Sequence, residues 1–246
     1  ELIAENLTVS AGADLWGMSG AMITVTNSLV VENYGDLYFT IGNVAGNANV
    51  VTLIKGYEGI DYTNVEVTSS EGYVKVVGND NNLYAMRGDS STLYANAAWT
   101  GHEMGTAVDG IAGTVYGFNA FASAETMFDN IRDTTTTLKF FGEQELVTDA
   151  TTGAANNRNF NIRAKQDLTL TADDAATLTL TVKDSSWEHG GSTNNVGELA
   201  FLSDSDDAVQ TITIGENVTI DTNAKIWFGR TAVTKEVHAT NVIING

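Results

Sequence analysis

The sequence predicts an all-β protein, a β-solenoid or β-sandwich of many short strands with one short helical insertion near the middle. Three observations point there. Short β-branched runs recur about every ten residues, separated by Gly, Asn and Asp turn signals. Proline is absent from all 246 residues, although ordinary usage of about 5% would supply roughly a dozen. A residue that cannot donate to a strand ladder is excluded where strands stack closely with few free edges. Third, one pattern is written near both ends of the chain. Ile3-Ala4-Glu5-Asn6-Leu7-Thr8-Val9, then Ser10-Ala11-Gly12-Ala13-Asp14-Leu15-Trp16, aligns without a gap with Ile214-Gly215-Glu216-Asn217-Val218-Thr219-Ile220, then Asp221-Thr222-Asn223-Ala224-Lys225-Ile226-Trp227. Both copies continue into a Thr-Asn and an aliphatic run, Thr26-Asn27-Ser28-Leu29-Val30-Val31 and Thr240-Asn241-Val242-Ile243-Ile244. Such self-similarity is the signature of units that bury their faces against one another.

Residues 1–89 read as a β-rich repeat region. Strands are expected at 7–9, 23–25, 28–32, 36–41, 50–54, 65–68, 73–77 and 83–86, each rich in Val, Ile, Leu or Tyr and bounded by Gly or Asn. Residues 90–158 turn rich in Ala and Gly. There Phe121, Ala124, Phe128 and Ile131 fall on one face of a short helix, with Ser123 as its cap and Asp133 and the following threonines as its end. Residues 159–246 return to strands, at 159–164, 168–171, 177–182, 211–214 and 218–220, the three regions together reading as one continuous unit. In Leu168-Thr169-Leu170-Thr171 and Leu178-Thr179-Leu180-Thr181-Val182 the leucines face inward and the threonines outward. Gln166–Ala172 reads as a third, degenerate copy of the repeated pattern, with Leu168 in the place of Leu7.

Composition excludes several classes of partner. The net charge is −19, from 31 acids against 12 bases, which repels nucleic acid and anionic lipid and favours cations, calcium above all. There is no cysteine, hence no disulfide framework and no thiolate ligand. No run approaches the ~18 apolar residues of a membrane span. Glu1 stands where a start methionine would, which reads as a leader removed or a chain trimmed.

Ser203-Asp204-Ser205-Asp206-Asp207 gathers hard oxygen ligands in one loop, so Asp204, Asp206 and Asp207 are the calcium candidates, weighed against a simple solvated acidic loop. The three histidines stand in no ligand spacing. Trp16 and Trp227 occupy equivalent repeat positions and are expected to plug core sites, whereas Trp99 and Trp187 lie in loop-like contexts and are the candidates for stacking on a glycan. Asn6 and Asn217 open glycosylation sequons but fall inside expected strands, and read as part of the repeat pattern. No nucleophile elbow, P-loop or dinucleotide fingerprint occurs.

The repeated pattern, the Asn-Gly punctuation and the Thr/Asn-rich strands over residues 1–89 and 160–246 resemble the passenger regions of bacterial autotransporters and haemagglutinin-like adhesins. In composition they also resemble surface-layer and extracellular filament proteins. The resemblance implies an extracellular or cell-surface structural protein without enzymatic activity. The expected function is self-assembly with copies of the same chain, through strand addition, into a filament, tube or layer. Interface residues are then Leu2, Leu7, Val9 and Leu15 at the start and Val242, Ile243 and Ile244 at the end. The alternative is a monomeric adhesin module binding cell-surface glycans through Trp99 and Trp187. A third reading is a polysaccharide-active β-helix enzyme, for which only His189-Gly190-Gly191 echoes a known motif.

Overall fold

The computed structural model describes residues 1–42, 44, 48–108, 110–148, 159–182, 198–203, 210–222, 225–228 and 236–244. It is mostly β, and the described chain divides into two compact units: residues 1–89 with 102–118, and residues 90–101 with 119–246. The stretch 90–158 is therefore shared between them.

In the first unit the chain alternates between two sheets. β1 (Leu2–Val9), β3 (Ile23–Val31) and β5 (Val50–Lys55) lie side by side in one. β2 (Asp14–Met18), β4 (Asp36–Ile41) and β6 (Val65–Ser69) lie side by side in the other. All these pairings are parallel, with Leu7 opposite Leu29 and Leu15 opposite Leu37, so like residues stack on like. The inner faces of both sheets carry one core that includes Val25, Phe39, Ile41, Leu53 and Ile54, all removed from water. β7 (Val74–Val77) and β8 (Leu83–Met86) then form a hairpin, and β8 pairs antiparallel with β5. A smaller cluster of Val76, Tyr84, Met86, Val115 and Phe118 ties residues 102–118 to this hairpin.

The turns stack as well as the strands. Gly12 sits at φ 78° between β1 and β2, and its N–H donates to the carbonyl of Tyr34, which sits at φ 67° between β3 and β4. Glycine adopts that left-handed backbone freely, whereas a tyrosine is strained there.

The second unit repeats three strand rows. β9 (Thr92–Asn96), a 3-10 turn at Ala97–Trp99 and β10 (Ala120–Phe121) precede α1 (Ala124–Asp129). The chain then runs β11 (Thr137–Phe141), β12 (Gln144–Thr148) and β13 (Asn159–Ala164), followed by β14 (Leu168–Thr171), β15 (Ala176–Val182) and β16 (Glu198–Ser203). Last come β17 (Thr211–Thr222), β18 (Lys225–Phe228) and β19 (Glu236–Ile244). β14 pairs with β11 and with the first part of β17; β15 pairs with β12 and with its second part; β16 pairs with β13 and β18. Every described pairing is parallel, and apolar residues of one row meet apolar residues of the next, as in Leu138, Leu170 and Ile214. Helix α1 forms where expected. Ser123 accepts the Thr126 N–H, and Ala124, Met127 and Phe128 enter the core, as do Phe121 and Ile131 just outside its ends.

The repeated pattern folds the same way twice. Ile3–Val9 and Ile214–Ile220 lie in strands that bend at Glu-Asn, marked by register shifts at Ala4/Asn6 and Ile214/Thr219. Asp14–Trp16 and Lys225–Trp227 then lie in β2 and β18, each in a different sheet from the strand before it. At the bend Asn6 accepts from Asn27 and Ser28 at 2.7 Å each, and Asn217 donates to the carbonyl of Ala172 at 3.0 Å. The third copy is out of register: Leu168 stands opposite Ile212, and the residue opposite Val218 is Ala176. The acidic corner Asp173-Asp174 lies between those two pairings and takes the place of Glu-Asn.

Candidate functional site

Two features of the first unit are open to a partner: the edges of its leading strands and the outer face of its smaller sheet. β1 is the edge strand of one sheet and β2 of the other. An edge presents unpaired N–H and C=O groups as a template for another strand. Near it Ile3 is 70% exposed, and Leu2 and Met18 also face solvent. In the second unit β19 and β18 are likewise edge strands of their sheets among the described residues. Of the other expected interface residues, Val9 is buried in the core and Leu7 and Leu15 are half-buried against it. Val242, Ile243 and Ile244 lie in β19.

The period-two alternation of β2 sends Leu15 and Gly17 inward and Asp14, Trp16 and Met18 outward. Trp16 is accordingly 57% exposed, not the core plug its repeat position suggested. Phe39 covers Gly17 from the neighbouring strand so closely that a Cβ there would lie 2.4 Å from its ring. On the outer face the register aligns Trp16, Tyr38 and Glu66 in one row and Met18, Thr40 and Thr68 in the next. The Trp16 and Tyr38 rings lie 5.3 Å apart at 32°. The indole Nε1 donates to Thr40 Oγ1 at 3.0 Å, and the Thr40 and Thr68 hydroxyls are 3.3 Å apart. The indole is thus held by a hydrogen bond rather than by burial.

Beside this face a depression of about 210 Å³ is lined by Tyr34, Asp36, Tyr38, Thr63, Asn64 and Glu66, among others. Its lining is acidic and contains no lysine or arginine. The nearby Lys75 ammonium is engaged by the carbonyls of Tyr62 and Val65 at 2.8 Å each, and burial pushes its pKa down. Bonds from the Thr63 hydroxyl and N–H hold the Asp61 carboxyl below the usual range. No group of three acidic or histidine side chains among the described residues is placed to hold a metal ion.

Trp99, expected open to a glycan, is 7% exposed. The 3-10 turn capped by Asn96 folds its indole inward to 5.7 Å from the Phe141 ring. Trp187, His189 and the calcium candidates Asp204, Asp206 and Asp207 lie outside the described residues. His102 packs against Tyr116, ring centres 5.7 Å apart. No described helix is long and apolar enough to cross a membrane. No family model, curated protein or solved structure matches the chain.

Proposed function

We propose that the chain is an extracellular structural subunit that assembles with copies of itself by strand addition, both units being β-solenoids of parallel passes. The observation that carries this reading is that the two copies of the repeated pattern, β1–β2 and β17–β18, are related in sequence and corner geometry, and that β1, β2, β18 and β19 are edge strands among the described residues. Parallel, in-register stacking already holds each unit together, so the same rule continues naturally from one copy to the next. With β18 laid on β2 in the repeat alignment, Lys225 falls opposite Asp14, Ile226 opposite Leu15 and Phe228 opposite Gly17. A head-to-tail contact of this kind yields filaments or layers where successive copies do not close into a ring.

The test is electron microscopy and sedimentation of the full chain over a range of concentrations. Ordered polymers are expected, and an Ile3→Lys/Met18→Glu variant, which places charges at the open edge, is expected to stay monomeric while folded. A wild-type chain that stays monomeric at every concentration refutes the reading.

A further inference from the structure

We infer that the outer face of β2, β4 and β6 is a binding platform for neutral glycan chains. An exposed tryptophan is costly to keep in water, since aromatic side chains contribute most when their area is covered. Here the indole is not merely left out of the core. Its hydrogen bond to Thr40 fixes it over the sheet, and Tyr38 extends the aromatic surface from the next strand. Together the two rings offer an apolar surface on which the C–H face of a pyranose can stack.

The polar surroundings select the ligand. Asp36, Asn64, Glu66 and Thr63 line the depression that borders Tyr38. Carboxylates and amides in that arrangement accept hydrogen bonds from sugar hydroxyls. They are not gathered into a metal-holding group, so they act as separate acceptors for a ligand carrying many donors. With no basic residue in the lining and a chain charge of −19, an anionic glycan would be repelled.

Tyr34 adds an independent sign. It is 90% exposed and occupies at φ 67° the turn position that glycine fills in the preceding turn. A bulky side chain retained at a left-handed position is a strained choice, and such strain concentrates at functional sites. It places a third aromatic at the rim of the same depression.

The inference is separable from self-assembly, because it is measured on monomer below the assembling concentration. The assay is affinity electrophoresis of the full chain through gels containing a soluble β-glucan, a mannan or a galactan, with polygalacturonate and hyaluronan as polyanions. At least one neutral polymer is expected to retard the protein and the polyanions are not. Trp16→Ala and Tyr38→Ala each weaken binding at least tenfold, and Glu66→Gln weakens it several-fold. Val77→Ser, at an exposed position in the other sheet, binds as the wild type does. Circular dichroism confirms that each variant is folded, and Trp16→Phe, which keeps a ring, retains partial binding. Retardation by none of the neutral polymers, equal retardation by polyanions, or unchanged binding in folded Trp16→Ala overturns the inference.

Discussion

The open edge of β1 is best tested by removing its outward hydrogen bonds without touching its inward ones. In a parallel strand the N–H and C=O of one residue point to the same neighbour, and alternate residues point to opposite sides. The Leu2 N–H donates to the Met22 carbonyl at 2.9 Å, and the Val9 carbonyl accepts from Glu32 at 3.0 Å, so both residues face inward, toward the chain segment that carries β3. Ile3 and Thr8, one step from each, face the free edge. Proline at these two positions deletes two donors that no ladder bond among the described residues uses. Each intermolecular bond contributes about 1 kcal/mol net, so the pair weakens subunit addition by about 2 kcal/mol. At 1.4 kcal/mol per tenfold change, the critical concentration for assembly rises about thirty-fold. Sedimentation of Ile3→Pro/Thr8→Pro against wild type reads this directly, with melting temperature as the folding control. Leu2→Pro is the contrasting case, since it breaks a bond inside the subunit and lowers stability instead. A folded double variant assembling at the wild-type concentration would refute strand addition at β1.

Three further perturbations test the fold that presents these surfaces. Gly17→Ala forces a methyl against the fully buried Phe39 ring and is expected to cost about 1–3 kcal/mol in urea denaturation, partly recovered by Phe39→Leu; an unshifted midpoint would contradict the close stacking of β2 on β4. Burial, aided by the Asp80 carboxylate that accepts its hydroxyl, pushes the Tyr84 pKa from 10.0 up to about 12, and Tyr62 is also raised. The folded chain then keeps protons that the unfolded chain releases near 10, so stability is full below pH 10 and falls as pH rises toward about 12; absorbance at 295 nm and circular dichroism followed together check it, and Tyr84 ionising at pH 10 in the folded protein would be inconsistent. Ser123→Ala removes the acceptor for the Thr126 N–H and is expected to lower stability by about 1 kcal/mol, measured by the same denaturation.

What the sequence disclosed, and what it hid, divides along the difference between local and stacked information. Asp36–Ile41 is legible because hydrophobic and polar residues alternate within one strand, and the helix at Ala124–Asp129 is legible because its cap and apolar face are local too. β2 escaped notice: Asp-Leu-Trp-Gly-Met has a glycine in its interior, and its strand character comes from pairing with β4. The pattern match sets Leu168 in the place of Val218, whereas the pairing sets it opposite Ile212 and sets Ala176 opposite Val218, since the Leu-Thr alternation of β14 fits either of two neighbouring strand segments and only the pairing chooses. Side-chain fate followed the same rule. Trp99 is buried because Phe141 lies beside it, and Trp16 is exposed because Gly17, not Trp16, receives the Phe39 ring. Neither neighbour is close in sequence.

The same stacking rule shows how one pattern would serve both the proposed assembly and the proposed recognition. In a parallel pass, in-plane groups bind the next strand while outward side chains form rows along the stacking direction. The first residues of β2 thus act in two independent directions. Their backbone edge is available to a strand of another copy, while Trp16 begins an aromatic row that Tyr38 continues. Addition of a strand at the β2 edge would leave the outward face that carries Trp16 and Tyr38 uncovered. If both proposals hold, assembly and glycan binding reinforce one another through valency: many weak sites on one polymer would hold a polysaccharide that a single subunit binds only weakly. The consequence is measurable. Polymers formed above the critical concentration should retain a neutral polysaccharide far more strongly per subunit than monomers do, and Trp16→Ala should abolish that gain while leaving the polymers themselves intact.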